Sequence, residues 1–230
     1  MVKQVMCEEL RSWEIVLGNF LVCLKIHILR RYLNDFQMQA CKPVDTHVKK
    51  GSSTLSISMC PRTSMVKEKM PRVPYLNAVG SLKYTMMCTR IDVCHAVDLV
   101  SRFQVNPDFA HWKIVKRIFR YLKETADYML YYQALDMRLV SYSDADWGDD
   151  PDERKFTSGC ALLLNGGVIT WSSKKQTCVA LSSMDAEYIA GSTVAQEDAW
   201  LRRVLRELHC RTRWGACQCI SWQFVCYCLL

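Results

Sequence analysis

At Thr125 the spacing of apolar residues along this 230-residue chain changes period. Upstream, Ile114, Val115, Ile118 and Leu122 recur at helical spacing. Downstream come short β-rich runs over Tyr128 to Tyr132, Arg138 to Ser143, Gly159 to Leu164 and Val168 to Trp171, with a further strand expected over Thr177 to Leu181. Asn165-Gly166-Gly167 separates two of these runs, a strong hairpin signal. A chain that switches period in this way belongs to the mixed α/β (α+β) class, with a helical block preceding an antiparallel meander.

The helical block has legible boundaries. Leu21, Leu24, Ile28 and Leu29 predict one amphipathic helix within residues 1–41. Lys42 to Pro74 is rich in Ser, Thr, Lys and Pro and reads as an exposed linker between domains. Tyr75 to Met87, with Ala78, Gly80 and Ser81 as small contact residues, and Asp92 to Phe103 predict two packed helices. Asn106-Pro107-Asp108 predicts another helix start, with Asn106 as the cap. Past the meander, Ser182 or Ser183 opens a helix running to about Leu208, with Leu201, Val204, Leu205 and Leu208 as its inner face. The domains expected are residues 1–41, a linker over 42–74, a helical segment over 75–133, a sheet domain over 134–208 and an atypical tail over 209–230.

Charge divides along the same line. Met1 to Gln133 carries 20 Lys and Arg against 11 Asp and Glu, whereas Ala134 to Leu208 carries 8 against 12. Lys113, Lys116, Arg117 and Arg120 lie on one face of the helix after Asp108, a spacing suited to tracking phosphates; a solvated cationic face is the alternative. The 13 cysteines lack paired spacings and read as reduced thiols. Cys210, Cys217, Cys219, Cys226 and Cys228 crowd the tail without the spacing of a zinc site. The least charged early run, Ile15 to Leu24, is about half of what a bilayer span needs. With no signal peptide and no span, the chain is expected inside the cell, in cytoplasm or nucleus.

The acidic residues that could carry chemistry sit at element ends. Asp144 and Asp146 are two apart on a strand and so share a face, and Glu187 lies in the first turns of the following helix. Carboxylates placed so can converge as hard oxygen ligands for divalent ions that activate water against a phosphodiester; solvated or capping roles are the plainer alternative.

A series of motifs settles the matter further. Val73-Pro74-Tyr75-Leu76-Asn77-Ala78-Val79-Gly80-Ser81-Leu82, Cys88-Thr89-Arg90, Tyr142-Ser143-Asp144-Ala145-Asp146-Trp147, Thr157-Ser158-Gly159, Trp171-Ser172-Ser173-Lys174-Lys175-Gln176 and Ala180-Leu181-Ser182-Ser183 through Ala186-Glu187-Tyr188 occur in order. This series resembles the C-terminal part of a copia-type retrotransposon Pol polyprotein: the end of the reverse transcriptase followed by its ribonuclease H domain. The resemblance implies a ribonuclease H-like mixed five-stranded sheet with flanking helices, preceded by a mainly helical connection segment. It implies hydrolysis of the RNA strand of RNA/DNA hybrids with magnesium, with Asp144 and Glu187 as catalytic and metal-holding carboxylates and Asp146 in a secondary, metal-side place. Trp147, Thr157, Ser158, Gly159, Trp171 and Lys174 match family positions read as mostly structural.

The chain departs from that family pattern in several places. Ile91 stands in place of a proline and Met184-Asp185 in place of Thr-Glu, both tolerable, whereas the tail counts against activity. No Asp or Glu follows Glu207, so the third and fourth carboxylates of the family site cannot come from the tail, and the domain is incomplete at its C-terminus. Glu197 and Asp198 lie about three turns along the helix from Glu187, too far to substitute. No Asp-Asp pair follows Tyr or Phe, as a polymerase palm would require; Asp149-Asp150 belongs to an acidic loop. The expected function is an ancestral ribonuclease H, weak or inactive here. The alternatives are a catalytically inert nucleic-acid-binding remnant and a fragment with neither property.

Overall fold

The computed structural model describes residues 3–7, 12–17, 20–24, 26–48, 55–61, 70–133, 138–146, 150, 152–208 and 213–214. Trp147, the tail cysteines and the apolar run Ile220 to Val225 lie outside the described residues.

The first 41 residues are not a single helix. Three strands, β1 (Lys3–Cys7), β2 (Ser12–Leu17) and β3 (Phe20–Leu24), precede helix α1 (Ile26–Asp35). Leu21 and Leu24 therefore belong to a strand, and only Ile28 and Leu29 to the helix. β2 and β3 pair antiparallel, with Leu17 opposite Phe20. Trp13, Ile15, Val16, Phe20 and Val22 favour strands, which outweighs the coincidental helical spacing.

Helices α2 (Tyr75–Thr89), α3 (Cys94–Ser101) and α4 (Phe109–Glu124) follow as expected. Ala78 is buried at the α2 contact, but Gly80 is exposed with open space where a Cβ would stand, so it is not there for close packing. The cap of α4 is Asp108, not Asn106. Asp108 accepts from Phe109 N at 2.6 Å, and Nδ1 of His111 accepts from Asp108 N at 2.9 Å, which closes a capping box. The linker stretch 42–74 is less bare than its composition implies, because Leu55 and Met70 are buried and Leu55 joins Leu29, Leu33, Val79, Val97 and Phe119 in one helical core.

Strand β4 (Leu130–Gln133) returns to the first sheet and pairs with β3, giving the antiparallel order β1-β2-β3-β4. The second sheet is an antiparallel three-stranded meander of β5 (Arg138–Asp146), β6 (Thr157–Leu164) and β7 (Gly167–Lys175). A two-residue strand β8 (Arg213–Trp214) lies parallel to β5 on its other edge. Asn165 and Gly166 turn between β6 and β7 with φ of 54° and 79°, the left-handed pair of a type I′ hairpin. Thr177 to Leu181 is not a strand; with Leu181 95% exposed it is the connection from β7 into helix α5 (Ser183–Glu207) and has no neighbouring strand to pair with.

Both faces of the β5-β6-β7 sheet are covered. On one, Cys160 and Leu162 pack against Val194 and Leu201 of α5; on the other, Ala161, Val168 and Trp171 pack against Ile91. The buried line of α5 runs through Ala186, Ala190, Val194, Asp198 and Leu205, with Leu201 and Val204 half-buried and Leu208 66% exposed. The inner face is thus longer and made of smaller residues than the leucine stripe predicts.

Candidate functional site

The helix that carries Glu187 is capped at its start and tied to the sheet at two further levels. Ser182 caps α5 by accepting from Asp185 N at 3.1 Å. Gln176, buried at the end of the Trp171-Ser172-Ser173-Lys174-Lys175-Gln176 motif, donates through Nε2 to Ser158 Oγ (2.8 Å) and to Ala186 O (3.0 Å), tying β6 to the first turn of the helix. Three turns further along, Ser141 of β5 donates to the buried carboxylate of Asp198 at 2.6 Å, and Arg202 donates to the other oxygen of that carboxylate. Asp198 therefore docks the helix on the sheet, far from the helix start.

This docking brings Glu187 to the end of β5. The Ala145 N–H donates to the Glu187 carboxyl, whose pKa is nevertheless raised, first by burial and then by the charge of Asp144, both outweighing that hydrogen bond. Asp144 and Glu187 are close enough for the charge of one to bear on the other. Asp146 is exposed at the strand end, and the charge that bears on Glu187 is that of Asp144. Among the described residues no group of three or more His, Cys, Asp or Glu side chains is arranged to hold a metal ion.

The supporting motif residues have definite places. Thr157 Oγ1 accepts from Arg102 at 3.3 Å, Ser158 anchors Gln176, Gly159 lies opposite Asp144 in the ladder, and Trp171 packs against the core that includes Ile91. Lys174 is exposed. The Thr89-Arg90 motif builds a buried node: Arg90 donates to both carboxylate oxygens of Asp92 (3.0 and 2.7 Å) and to Thr125 O (2.8 Å) and Oγ1, and Tyr121 donates to Asp92 at 2.8 Å.

Comparison with known proteins identifies the lineage of this arrangement. The chain is 47% identical over 180 residues, 78% of its length, to the retrovirus-related Pol polyprotein from transposon TNT 1-94 of Nicotiana tabacum, and 34% identical over 187 residues to that from transposon RE1 of Arabidopsis thaliana. The chain belongs to the copia-type retrovirus-related Pol polyproteins. It spans only 14% and 12% of the length of those two polyproteins. It also matches, at 48% identity over 133 residues and 94% of that protein's length, the secreted RxLR effector protein 161 of Plasmopara viticola. No family model and no solved structure matches the chain.

Within this Pol segment the cationic face of α4 is partly engaged from inside. Arg117 Nη2 donates to Thr46 Oγ1 (2.7 Å), Arg120 Nε to Lys42 O (2.6 Å), and Lys123 Nζ to Gln39 O (2.6 Å) and Cys41 O (2.7 Å). Lys116 lies 5.5 Å from the Trp112 ring centroid, and Lys113 is exposed. Gln176, Ser141 and Asp198 were not singled out by sequence reasoning as positioning residues. The available signal for them was a polar residue falling at an inward position of an otherwise apolar strand or helix face.

Proposed function

We propose that this chain is a retrotransposon-derived ribonuclease H-like domain. Its ancestral reaction is divalent-metal hydrolysis of the RNA strand of an RNA/DNA hybrid, and the chain itself cleaves feebly or not at all. The observation that carries the reading is the convergence of Asp144, at the end of β5, with Glu187, in the early turns of α5. A mixed sheet, with β8 parallel beside β5 after the α5 crossover, supports the same reading.

Asp144 and Glu187 offer hard oxygen ligands of the kind magnesium takes. They do not make the set that a two-metal hydrolysis needs, because no third carboxylate joins them among the described residues and none follows Glu207 in the sequence. The residues do not fit a complete magnesium site. Incubating the purified chain with an RNA/DNA hybrid and magnesium is expected to give no cleavage above a Glu187→Gln control. Cleavage abolished by that substitution would overturn the inactive reading.

A second reading, nucleic-acid binding through Lys113, Lys116, Arg117 and Arg120, is favoured by one observation. Among the described residues none of these cations forms an ion pair with a carboxylate. Their charge is left for an anionic partner, and a phosphodiester backbone matches their spacing along the helix.

A further inference from the structure

Among the described residues the partners of the α4 cations are all neutral. Arg117 and Arg120 donate to a hydroxyl and to a backbone carbonyl of the segment 39–46, and Lys123 donates to two further carbonyls of that segment. Elsewhere Arg90, Arg102, Lys175 and Arg202 each face a carboxylate. The segment 39–46 is itself held down. Cys41 and Val44 pack against the helical core, and just past the segment Val48 does so too while the His47 ring meets Tyr121 edge-on at 5.2 Å between centroids.

A guanidinium has five N–H donors, and 39–46 takes one from Arg117 and one from Arg120. Arg117 Nε is shielded, and Nη2 is the donor that Thr46 takes. Neutral acceptors fix direction without cancelling charge. A phosphate oxygen meeting the remaining donors makes a charge-assisted bond, stronger than the neutral bonds already present.

We infer that the segment 39–46 is a positioning strap, which aims the Arg117 and Arg120 guanidiniums of α4 at successive phosphates of a nucleic-acid backbone. Thr46 and the Lys42 carbonyl belong to the binding surface although neither supplies charge. This inference rests on the second reading above, that α4 engages nucleic acid. It adds that affinity depends on the strap as well as on the number of cations.

The test is fluorescence anisotropy of a labelled RNA/DNA hybrid with the full chain, in EDTA, across a sodium chloride series. Neutralising Lys116, Arg117 and Arg120 to Gln is expected to reduce the slope of log K against log salt by roughly 2 to 3, at about 0.9 per lost phosphate contact. Thr46→Val, which removes the acceptor and no charge, is expected to weaken binding about three- to tenfold, the factor of one hydrogen bond, with the slope unchanged. Arg120→Lys, which keeps the charge but loses the fork, is expected to behave like Thr46→Val. Circular dichroism of each variant establishes that the fold is intact. Thr46→Val and Arg120→Lys variants that bind as well as the original chain, or more tightly, would overturn the strap as a positioning element while leaving the α4 surface standing. An unchanged slope in the triple variant would remove the α4 surface itself, and the strap inference with it.

Discussion

Arg90 is only 4% exposed, and its surroundings explain how a buried guanidinium is tolerated. Asp92 and Thr125 accept its N–H groups, while the Tyr121 and Tyr128 rings lie 5.6 and 5.4 Å from its guanidinium carbon. Burial alone would raise the Asp92 carboxyl, but hydrogen bonds from Arg90 and Tyr121 and the guanidinium charge hold it below its ordinary value. Arg90→Met would leave a carboxylate facing one hydroxyl, and breaking such a buried pair costs about 3–5 kcal/mol. Urea unfolding should register that loss, and adding Asp92→Asn should recover part of it because the stranded charge disappears. A double variant no more stable than Arg90→Met would show that the charge of Asp92 is not what the arginine offsets. The carboxyl of Glu187 is the contrasting case, with no cation among the influences on it and a raised pKa. Asp92 is built for stability, whereas the charge of Asp144 beside Glu187 opposes it.

Gly167 opens β7 beneath the first sheet: a Cβ there would run into the Tyr132 ring and lie 2.6 Å from the Tyr131 carbonyl oxygen. The same ring is fixed by its hydroxyl, which donates to Val168 O at 2.7 Å. Gly167→Ala should therefore separate β4 from β7 at a cost of about 1–3 kcal/mol, as overpacking does, whereas Gly80→Ala, in open space on α2, should be neutral or slightly stabilising. Thermal melts of the two variants make the comparison, and equal losses would contradict the packing argument. Legibility in the sequence followed how locally each element is specified. The Asn165-Gly166 hairpin and the helices from Tyr75 to Glu124 were readable because turn chemistry and apolar period act within a few residues. β3 is hidden because Leu21, Leu24, Ile28 and Leu29 mimic a helical stripe, and of its two partners only β2 lies nearby while β4 is about a hundred residues away. The inner face of α5 was placed too near its C-terminus because alanines and a satisfied Asp198 carry no hydrophobic signal. Asp144 and Glu187 could be paired through family motifs, but the Gln176 tie that supports their elements depends on which polar groups the fold buries together.

Across the molecule, buried titratable groups set a direction for stability against pH. Burial lowers His111 and His47 from the ordinary 6.5, with Asp92 opposing the shift at His47 without reversing it. Asp92 and Asp150 lie below 3.8 because Arg90 and Lys175 outweigh burial. In each case the folded chain binds fewer protons than the unfolded chain, so stability rises with pH through the window. It is complete above the histidine range, falls as pH drops through 6.5 towards the folded histidine values, and falls again below 3.8. Glu187, raised above 4.5, acts in the opposite sense. The urea midpoint should drop between about pH 7.5 and 5.5, and drop less in His111→Asn, which offers Asp108 N an acceptor that does not titrate. An equal drop in both chains would clear His111 of responsibility. The order of the first sheet has a consequence for how the chain is made. β3 is paired on one side within a hairpin, but its other edge is completed only by Leu130–Gln133. During synthesis the uncharged run Phe20-Leu21-Val22-Cys23-Leu24 must wait on the order of ten seconds for that partner. For that interval the nascent chain carries an open β-edge, the kind of template on which aggregation begins, and a chaperone would have most to protect there.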